Sequence, residues 1–301
     1  MAWRGLHISR PATLTLDSGR IIVEQDHDLL SFPLEDLSHI ILDTTQVMLS
    51  GPLLAACMEA GIMLVSSDKK HLPCGVALPF HSHHRQAGVG QMQMSVTASV
   101  RKRLWQRIVR RKITNQSAAL AERDDFASKA LIAMTDHVKV GDTDNIEARA
   151  ARLYWVKFWP SFSRSDDDDR RNALLDYGYA VVRAALARSL VAHGLLPAIG
   201  LRHASVTNAF NLADDLIEPF RPHVDAAAYE RWAETPKQVD LDLNDRRAMA
   251  GVLNRDLLFG GQTVQLLTAT EQTATSLVRA FESSMPKALI MPGPPAISSA
   301  G

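Results

Sequence analysis

The sequence predicts an α+β protein in which a small β-rich domain with one helix precedes a larger, mostly helical domain. Three observations support this prediction. Residues 1–75 contain short segments that alternate in strand fashion. Glycine and proline stand among polar residues over 76–92, which indicates a linker. Long segments of helical periodicity, almost free of both residues, then run over about 93–139, 171–193 and 262–284.

The composition is that of a folded protein outside the membrane. The 301 residues are 46% hydrophobic and 22% charged, which is enough to bury a core and excludes wholesale disorder. No apolar run approaches the roughly 18 residues that a membrane span needs. The two cysteines exclude a disulfide scaffold and indicate a reducing compartment, so we expect a cytoplasmic protein.

The N-terminal domain opens with a predicted β-hairpin. Residues 13–16 and 21–23 have strand character, and residues 17–20 between them form a good turn signal. Ser50 can cap a helix over 52–60, which has a proline in its first turn and a glycine after its end. Further short strands are expected at 39–42, 47–49 and 62–65.

The second domain is expected over 93–285 and a tail over 286–301. The tail is rich in proline, glycine and serine from residue 291 onward, a composition that does not form a helix. We therefore expect the tail to be flexible. No internal repeat is visible in the sequence.

The net charge of zero hides a block structure. Residues 1–68 contain 3 basic and 9 acidic side chains, whereas residues 69–121 contain 10 basic side chains and no acidic one. Residues 122–301 contain 20 basic and 24 acidic side chains. A long stretch without carboxylates in a chain this acidic indicates a surface that binds a polyanion.

The densest basic segment, 101–112, is predicted to be an amphipathic helix. Leu104, Ile108 and Val109 recur at helical spacing and leave the cationic side chains on the other face. Such a face can neutralise phosphates, and binding would then depend on salt. The alternative is a solvated helix face paired with acids elsewhere in the fold. A membrane-surface helix is disfavoured, because the apolar face is narrow.

Two segments each offer one side chain with metal-binding chemistry. Glu147 lies near the start of an alanine-rich helix, for which Asn145 is a candidate cap. His203 follows a loop punctuated by glycine and proline, so its side chain is free to point into a cleft. Each also has an alternative without a role in metal binding: Glu147 would belong to an ordinary helix start, and His203 would be a structural or surface histidine.

A third segment, 211–222, contains a cluster of acids. Asp214 and Asp215 precede Glu218 by four and three residues, so one of them shares its helix face. Two carboxylates this close repel unless a cation or an arginine lies between them. With Arg202 and Arg221 nearby, the segment fits a divalent-metal or phosphate site, and the alternative is a helix end with solvated acids. Glutamate, histidine and aspartate or glutamate together suit Mg²⁺ and tolerate Mn²⁺.

A zinc site is a weaker alternative. Cysteine and histidine ligands of the right type occur near residue 80, but neither C-x-x-C nor H-x₃-H spacing is present. A glycine-rich phosphate loop and the G-x-S-x-G motif are also absent from the sequence. The side chains concerned are Cys74, His81, His83 and His84.

Four motifs in order, at 145–152, 172–180, 194–203 and 211–225, resemble one family, the CRISPR-associated integrase Cas1. The similarity is greatest to the compact type II form, whose partner effector is the Cas9 nuclease. It extends into the first domain and covers roughly 1–285. Two departures occur: Ala148 stands where the family often has glycine, and Asp176 where it often has asparagine.

The resemblance implies a β-sandwich-like N-terminal domain that dimerises, an all-α catalytic domain and a metal-dependent endonuclease and integrase. The family's metal-binding triad maps onto Glu147, His203 and Glu218, with Mg²⁺ or Mn²⁺ as the ion and Asp215 supporting the third ligand. The implied partners are double-stranded DNA, a second copy of the chain, the small Cas2 protein and the Cas9 effector, with no membrane. The DNA-contact candidates are Arg101, Arg107, Arg111 and Arg221.

The implied reaction joins the 3′ ends of short foreign double-stranded DNA to the CRISPR repeat by transesterification. Two rival functions remain open on the sequence. The first is a non-catalytic helical DNA-binding protein in which the carboxylates are structural. The second is a small-molecule metal hydrolase, which predicts no affinity for DNA at low salt.

Overall fold

The computed structural model describes residues 4–80 and 83–295 and divides the chain into two units, Met1–Gln86 and Ala87–Gly301. The first unit is rich in strands and the second is mostly helical. The division falls within 76–92, the predicted linker. The part of that segment without regular structure is shorter than expected, because a strand extends to Ala77 and a helix begins at Gln86.

The strands described in the first unit form two four-stranded sheets. One sheet has the order β1-β5-β7-β8 and the other the order β4-β3-β2-β6. In the first sheet β1, β5 and β7 run parallel, and β8 is antiparallel to β7. The strands are β1 (Arg4–Ile8), β2 (Ala12–Asp17), β3 (Arg20–Gln25), β4 (Asp28–Pro33), β5 (Leu37–Leu42), β6 (Val47–Leu49), β7 (Met63–Ser67) and β8 (Pro73–Ala77).

Two local predictions in the first unit are confirmed. β2 and β3 form the hairpin, and its turn residues Ser18 and Gly19 have φ angles of 49° and 74°, as a two-residue turn matched to strand twist requires. Helix α1 (Gly51–Glu59) begins after Ser50, whose hydroxyl accepts a hydrogen bond from the Leu53 backbone amide at 3.4 Å.

One apolar core contains side chains from both sheets and from α1. Truncating such a buried leucine to alanine costs about 2–5 kcal/mol, so this core accounts for much of the unit's stability. Its members include Ile8, Leu14, Ile21, Val23, Leu37, Ile40, Leu53, Cys57, Ile62 and Leu64.

The second unit is built around two long helices. α6 packs against α7, α8, α9 and α10, and α3 packs against α4, α5 and α8. Most side chains of α6 are buried, so this helix forms the centre of the unit. The helices are α2 (Gln86–Ser95), α3 (Ala98–Leu120), α4 (Asp125–Thr135), α5 (Ile146–Phe158), α6 (Arg170–Ala192), α7 (Asn211–Leu216), α8 (Arg221–Glu234), α9 (Leu243–Ala250) and α10 (Leu266–Ser283).

In the second unit, the helix boundaries follow side-chain caps and close packing. They differ from the boundaries predicted from the positions of glycine and proline. The predicted helical segment 93–139 is split into the end of α2, α3 and α4, because Thr97 and Asp124 cap new helices with their side chains. Gly90 lies inside α2 rather than in a linker. A Cβ atom there would lie 3.2 Å from Leu196, so the glycine permits close packing.

The expectation that the second unit is all-α is wrong at one place. β9 (Asp256–Phe259) and β10 (Gln262–Gln265) form an antiparallel hairpin before α10. Gly260 and Gly261 make its turn, with φ angles of 57° and 88°. A Gly-Gly pair between short apolar segments is a hairpin signal that helical periodicity obscured.

The tail is packed in its first part, contrary to the expectation of flexibility. A 3₁₀ turn spans Pro286–Ala288, and Leu289 is buried. The amide of Asn115 in α3 donates a hydrogen bond to the Pro292 carbonyl at 3.2 Å. Apolar side chains and free carbonyls therefore fix this part of the tail without a helix. Residues 296–301 lie outside the described residues.

Candidate active site

Glu147 is placed by the first turn of α5. The backbone amides of Ile146 and Glu147 donate to the carboxylate of Asp142 at 2.9 and 3.0 Å. Asp142 therefore caps this helix, whereas the predicted cap Asn145 makes no side-chain capping bond and lies in the left-handed region with φ at 53°. The cap fixes the start of α5 and therefore the backbone position from which the Glu147 side chain extends.

Glu218 is placed by a change of helix type. α7 ends at Leu216, and the 3₁₀ turn Glu218–Phe220 then leads directly into α8. The Asn115 amide of α3 donates to the Pro219 carbonyl at 2.7 Å and holds this turn against α3. The helix is therefore interrupted just before Glu218, and the carboxylate is buried.

Lys112 of α3 lies between these two carboxylates. Its Nζ atom is 2.7 Å from Glu147 Oε1 and also contacts Glu218 Oε2. Only 11% of the Lys112 side chain and 8% of that of Glu218 are exposed, so this is a buried three-group ion pair. Sequence reasoning missed this lysine, although it follows Ile108 by four residues and thus lies on the apolar stripe of α3.

Arg221 completes the charge balance at Glu218. Its Nε atom donates to Glu218 Oε1 at 2.9 Å, and its guanidinium lies 4.4 Å from the centre of the Tyr179 ring. Burial alone would raise the pKa of Glu218, but the charges of Lys112 and Arg221 lower this pKa to about 2. Likewise, burial would lower the pKa of Lys112, but the two carboxylates raise it. Glu218, Lys112 and Arg221 are therefore charged at neutral pH.

His203 is held by Asp215, which is expected from the sequence to support Glu218 instead. Asp215 Oδ1 lies 2.8 Å from His203 Nδ1, and the backbone amides of Leu201, Arg202 and His203 all donate to the same carboxylate. Gly200 makes this loop possible, because a Cβ there would lie 2.3 Å from the His203 carbonyl oxygen. The imidazole is oriented so that Nε2 is the ring atom left to bind a ligand.

His203 stays accessible. Its side chain is 46% exposed and packs edge-on against Trp105, with ring centroids 5.9 Å apart. The hydrogen bond to Asp215 raises the pKa of His203 most, burial opposes this, and the charge of Glu218 adds to it. Glu218 is therefore near enough to influence the imidazole electrostatically.

The structure brings two of the three predicted ligands to one point. Glu147 and Glu218 converge on the Lys112 ammonium, while His203 stands further off. Within residues 4–80 and 83–295, no three histidine, cysteine, aspartate or glutamate side chains form a ready ligand cluster. The donor chemistry nevertheless suits a hard divalent cation, because the carboxylate oxygens of Glu147 and Glu218 already share one ammonium there.

Asp214 has a different role from its neighbour Asp215. Its carboxylate accepts from the guanidinium of Arg183 at 2.6 Å and from the amide of Asn208 at 2.6 Å. Both interactions anchor α7 to α6 and to the preceding loop. Of the two adjacent aspartates, only Asp215 therefore faces His203.

A polar pocket of about 210 Å³ adjoins the carboxylates. Besides the groups already described, Asp225 lies at its wall and accepts hydrogen bonds from the hydroxyls of Tyr154 and Tyr179. With two arginines, a lysine and an indole, the pocket has the chemistry of a phosphate and nucleobase subsite. Its lining residues are Lys112, Gln116, Ala151, Trp155, Arg164, Tyr179, Glu218, Arg221 and Asp225.

The basic helix is α3, and its arginines differ in their environment. Arg101 and Arg107 each donate to backbone carbonyls, those of Met94 and Leu289 among them, at 3.1 Å. Burial lowers the pKa of Arg111, and the charge of Arg107 adds to this. These predicted DNA contacts are thus partly used within the fold. The exposed cations of the same helix are Lys102, Arg103 and Arg110.

The weak zinc alternative has no support in the described part of the chain. Cys74 is an exposed free cysteine in β8, and the rings of His83 and His84 stack 4.8 Å apart. His81 lies outside the described residues.

Fold and site together define a class of protein: a strand-rich unit and a helical unit, the latter with a paired-carboxylate cation site beside a basic helix. The family model described as CRISPR associated protein Cas1 matches residues 6–234. A relative from Neisseria meningitidis serogroup C (strain 8013), described as CRISPR-associated endonuclease Cas1, is 36% identical over 294 residues, 97% of this chain and 96% of the relative. The chain belongs to the Cas1 family.

Two solved structures share the fold. A casposase bound to its integration product matches with a TM-score of 0.78 at 17% identity, over 93% of this chain and 91% of that chain. A chain of a Cas6-RT-Cas1–Cas2 complex matches with a TM-score of 0.74 at 19% identity, over 96% of this chain and 36% of that chain. Among the described residues, no helix combines the length and apolarity needed to cross a bilayer.

Proposed function

We propose that this protein is a type II integrase of CRISPR adaptation, which joins the 3′ ends of short foreign double-stranded DNA to the CRISPR repeat. The observation that carries the proposal is the convergence of Glu147 and Glu218 on one buried cation, next to a basic helix. Family membership and a fold shared with a casposase support the same class of reaction.

Glu147, His203 and Glu218 would hold one Mg²⁺ or Mn²⁺. Two carboxylates that already share one cation, together with an imidazole oriented by Asp215, offer the oxygen-rich ligand set that these ions prefer. When bound, the ion would polarise the target phosphate and help to deprotonate the attacking hydroxyl.

The remaining groups would position the DNA. Arg221 and Arg164 line the pocket beside Glu218 and can donate to phosphate oxygens, while Trp155 offers a face for stacking a base. The exposed cations of α3 would hold the DNA backbone rather than read its sequence. In the reaction, a 3′-oxygen forms a new bond to phosphorus while the bond to the departing 3′-oxygen breaks, and the latter takes up a proton. One phosphodiester replaces another, so no external energy source is needed.

The proposed working form is an assembly. It contains homodimers of this chain formed through the strand-rich unit, bridged by the small Cas2 protein, with the Cas9 effector as a further partner. The Cas6-RT-Cas1–Cas2 complex, whose Cas1-like part shares the fold, supports the pairing with Cas2.

A purified-protein assay tests the reaction. Labelled short DNA and a supercoiled plasmid carrying a repeat are incubated with Mn²⁺, with and without Cas2. We expect joined product from the wild type and its loss in His203→Ala. Full joining by that variant would remove His203 from the site. If the wild type binds DNA yet joins nothing under any metal condition, the non-catalytic DNA-binding function is the better description.

A further inference from the structure

We propose that Lys112 is a built-in counter-cation, which holds the carboxylates of Glu147 and Glu218 together in the metal-free protein and is displaced when a divalent ion binds. The proposal rests on the proposed function, because it concerns the same carboxylates. It adds that Lys112 competes with the divalent ion for these carboxylates, and that this competition determines the metal affinity.

The geometry shows why some cation is needed. Glu147 Oε1 and Glu218 Oε2 both contact the same Nζ atom, the first at 2.7 Å. The Glu147 side chain is 23% exposed and that of Glu218 only 8%, so water screens their mutual repulsion weakly. A buried carboxylate pair without a cation is strongly destabilising. Lys112 supplies that cation from within the chain.

The same geometry makes Lys112 a competitor. An ion bound by both oxygens would lie close to where the ammonium lies, and two cations cannot share one position. The two carboxylates are already balanced by Lys112 and Arg221. A divalent ion added to all four groups would leave two excess positive charges in a buried site, so departure of Lys112 lowers this cost.

The surroundings give Lys112 another partner. Its flexible four-carbon stem can carry the ammonium into the adjoining pocket, which Lys112 itself lines together with Arg164 and Arg221. Three cations would then face the space that we assign to a DNA phosphate. The lysine thus exchanges two carboxylates for a phosphate, which links metal binding to DNA binding.

Isothermal titration of the metal-free full-length protein with MnCl₂ tests the competition. We expect Lys112→Met and Lys112→Gln to lower the Mn²⁺ dissociation constant by about tenfold or more, because a neighbouring positive charge is removed. Lys112→Arg keeps the charge and should bind like the wild type. Lys157→Met is the matched control, since it removes a lysine that pairs with Asp124, at 3.0 Å, near the other end of α5.

Each outcome decides a different point. Equal or weaker Mn²⁺ binding by both neutral variants would overturn the role of Lys112. If those variants fold only when Mn²⁺ is present, as followed by circular dichroism, the ion replaces the ammonium and the proposal is supported. If they stay unfolded with Mn²⁺, the ion cannot replace it and the proposal fails. Should the wild type show no Mn²⁺ binding that Glu218→Gln removes, the metal-dependent function itself is wrong.

Discussion

The two halves of the candidate site are held in place by different forces. Glu147 and Glu218 are fixed by charge, through the ammonium of Lys112 and the guanidinium of Arg221. His203 is fixed by Asp215, whose carboxylate is in turn anchored by three backbone amides. The carboxylate half therefore depends on neighbouring cationic side chains, whereas the histidine half is held by hydrogen bonds.

Burial explains the difference. Glu218 is almost completely enclosed, and only nearby positive charges can keep it ionised there. His203 remains half exposed, so water can solvate the imidazole, while Asp215 fixes the orientation of the ring. A site made in this way places the two carboxylates in the interior and leaves the imidazole at the surface.

The largest expected effect comes from breaking the carboxylate half. Glu218→Gln removes one charge from the pair and leaves Lys112 with a single strong partner. We expect the single-turnover rate of strand joining with Mn²⁺ to fall at least about 100-fold, since removing one electrostatic stabiliser costs that much in enzyme sites. DNA binding in a gel-shift assay should stay within about threefold of wild type.

Glu230→Gln provides the control for that experiment. Glu230 is an exposed acid of the same unit that pairs with Arg255 at 2.7 Å. It should join DNA at the wild-type rate, because surface ion pairs contribute about 0–1 kcal/mol. Near-normal joining by Glu218→Gln would show that this carboxylate does not take part in the chemistry.

The next effect comes from breaking the histidine half. Asp215→Asn keeps the shape but removes the charge that orients His203, and we expect a loss of about 10–100-fold in Mn²⁺ affinity or joining rate. Asp214→Asn is the matched control, because Asp214 pairs with Arg183 instead. Equal losses in the two variants would mean that general damage to α7, rather than histidine orientation, causes the defect.

A smaller effect is expected at the surface of α3. Replacing Lys102 and Arg103 by glutamine should weaken binding to DNA of any sequence by about tenfold and reduce the salt slope by about two. Fluorescence anisotropy at several salt concentrations measures both. A change confined to one sequence would show that these side chains read bases, contrary to a role in holding the backbone.

The smallest effect concerns a buried carboxylate for which the described residues provide no direct ion pair. Burial raises the pKa of Asp225 to about 6, although the Tyr179 and Tyr154 hydroxyls donate to it, whereas Glu218 has a pKa of about 2 beside its cations. Because the folded pKa exceeds the unfolded value, native Asp225 holds its proton more tightly. Its contribution to stability is therefore lost as pH rises through about 6.

Asp225→Asn removes that dependence and tests this difference. The Tm of the variant relative to wild type should increase between pH 5 and pH 7.5, by an amount that corresponds to about 1.4 kcal/mol. Scanning calorimetry across this range measures it. A constant Tm difference would show that Asp225 is already ionised at pH 5.

The sequence predicts local features well and the assembled site only in part. The turn at Ser18 and Gly19 and the Ser50 cap depend on a few neighbouring residues, and both are present. The position of Lys112 depends on contacts of α3 with α5 and with the turn at Glu218, far apart in the chain. In the sequence, only the position of Lys112 on the apolar stripe of α3 indicates that this cation is buried.

Motifs and packing gave different kinds of information. The four ordered motifs led to Glu147, His203 and Glu218, whose ligand roles remain predictions. The Gly260–Gly261 hairpin was missed because helical periodicity dominated the surrounding sequence. The packing of Leu289 could not be foreseen, because it depends on a pocket made by α3 and α10 rather than on the tail itself.

Anomalous diffraction from crystals of the full chain grown with Mn²⁺ tests the central claim most directly. We expect one strong peak bonded to oxygens of Glu147 and Glu218 and to Nε2 of His203, with the Lys112 ammonium moved out of the space between the carboxylates. A saturating Mn²⁺ concentration that gives no peak there, with Lys112 still bridging the two glutamates, would contradict the account.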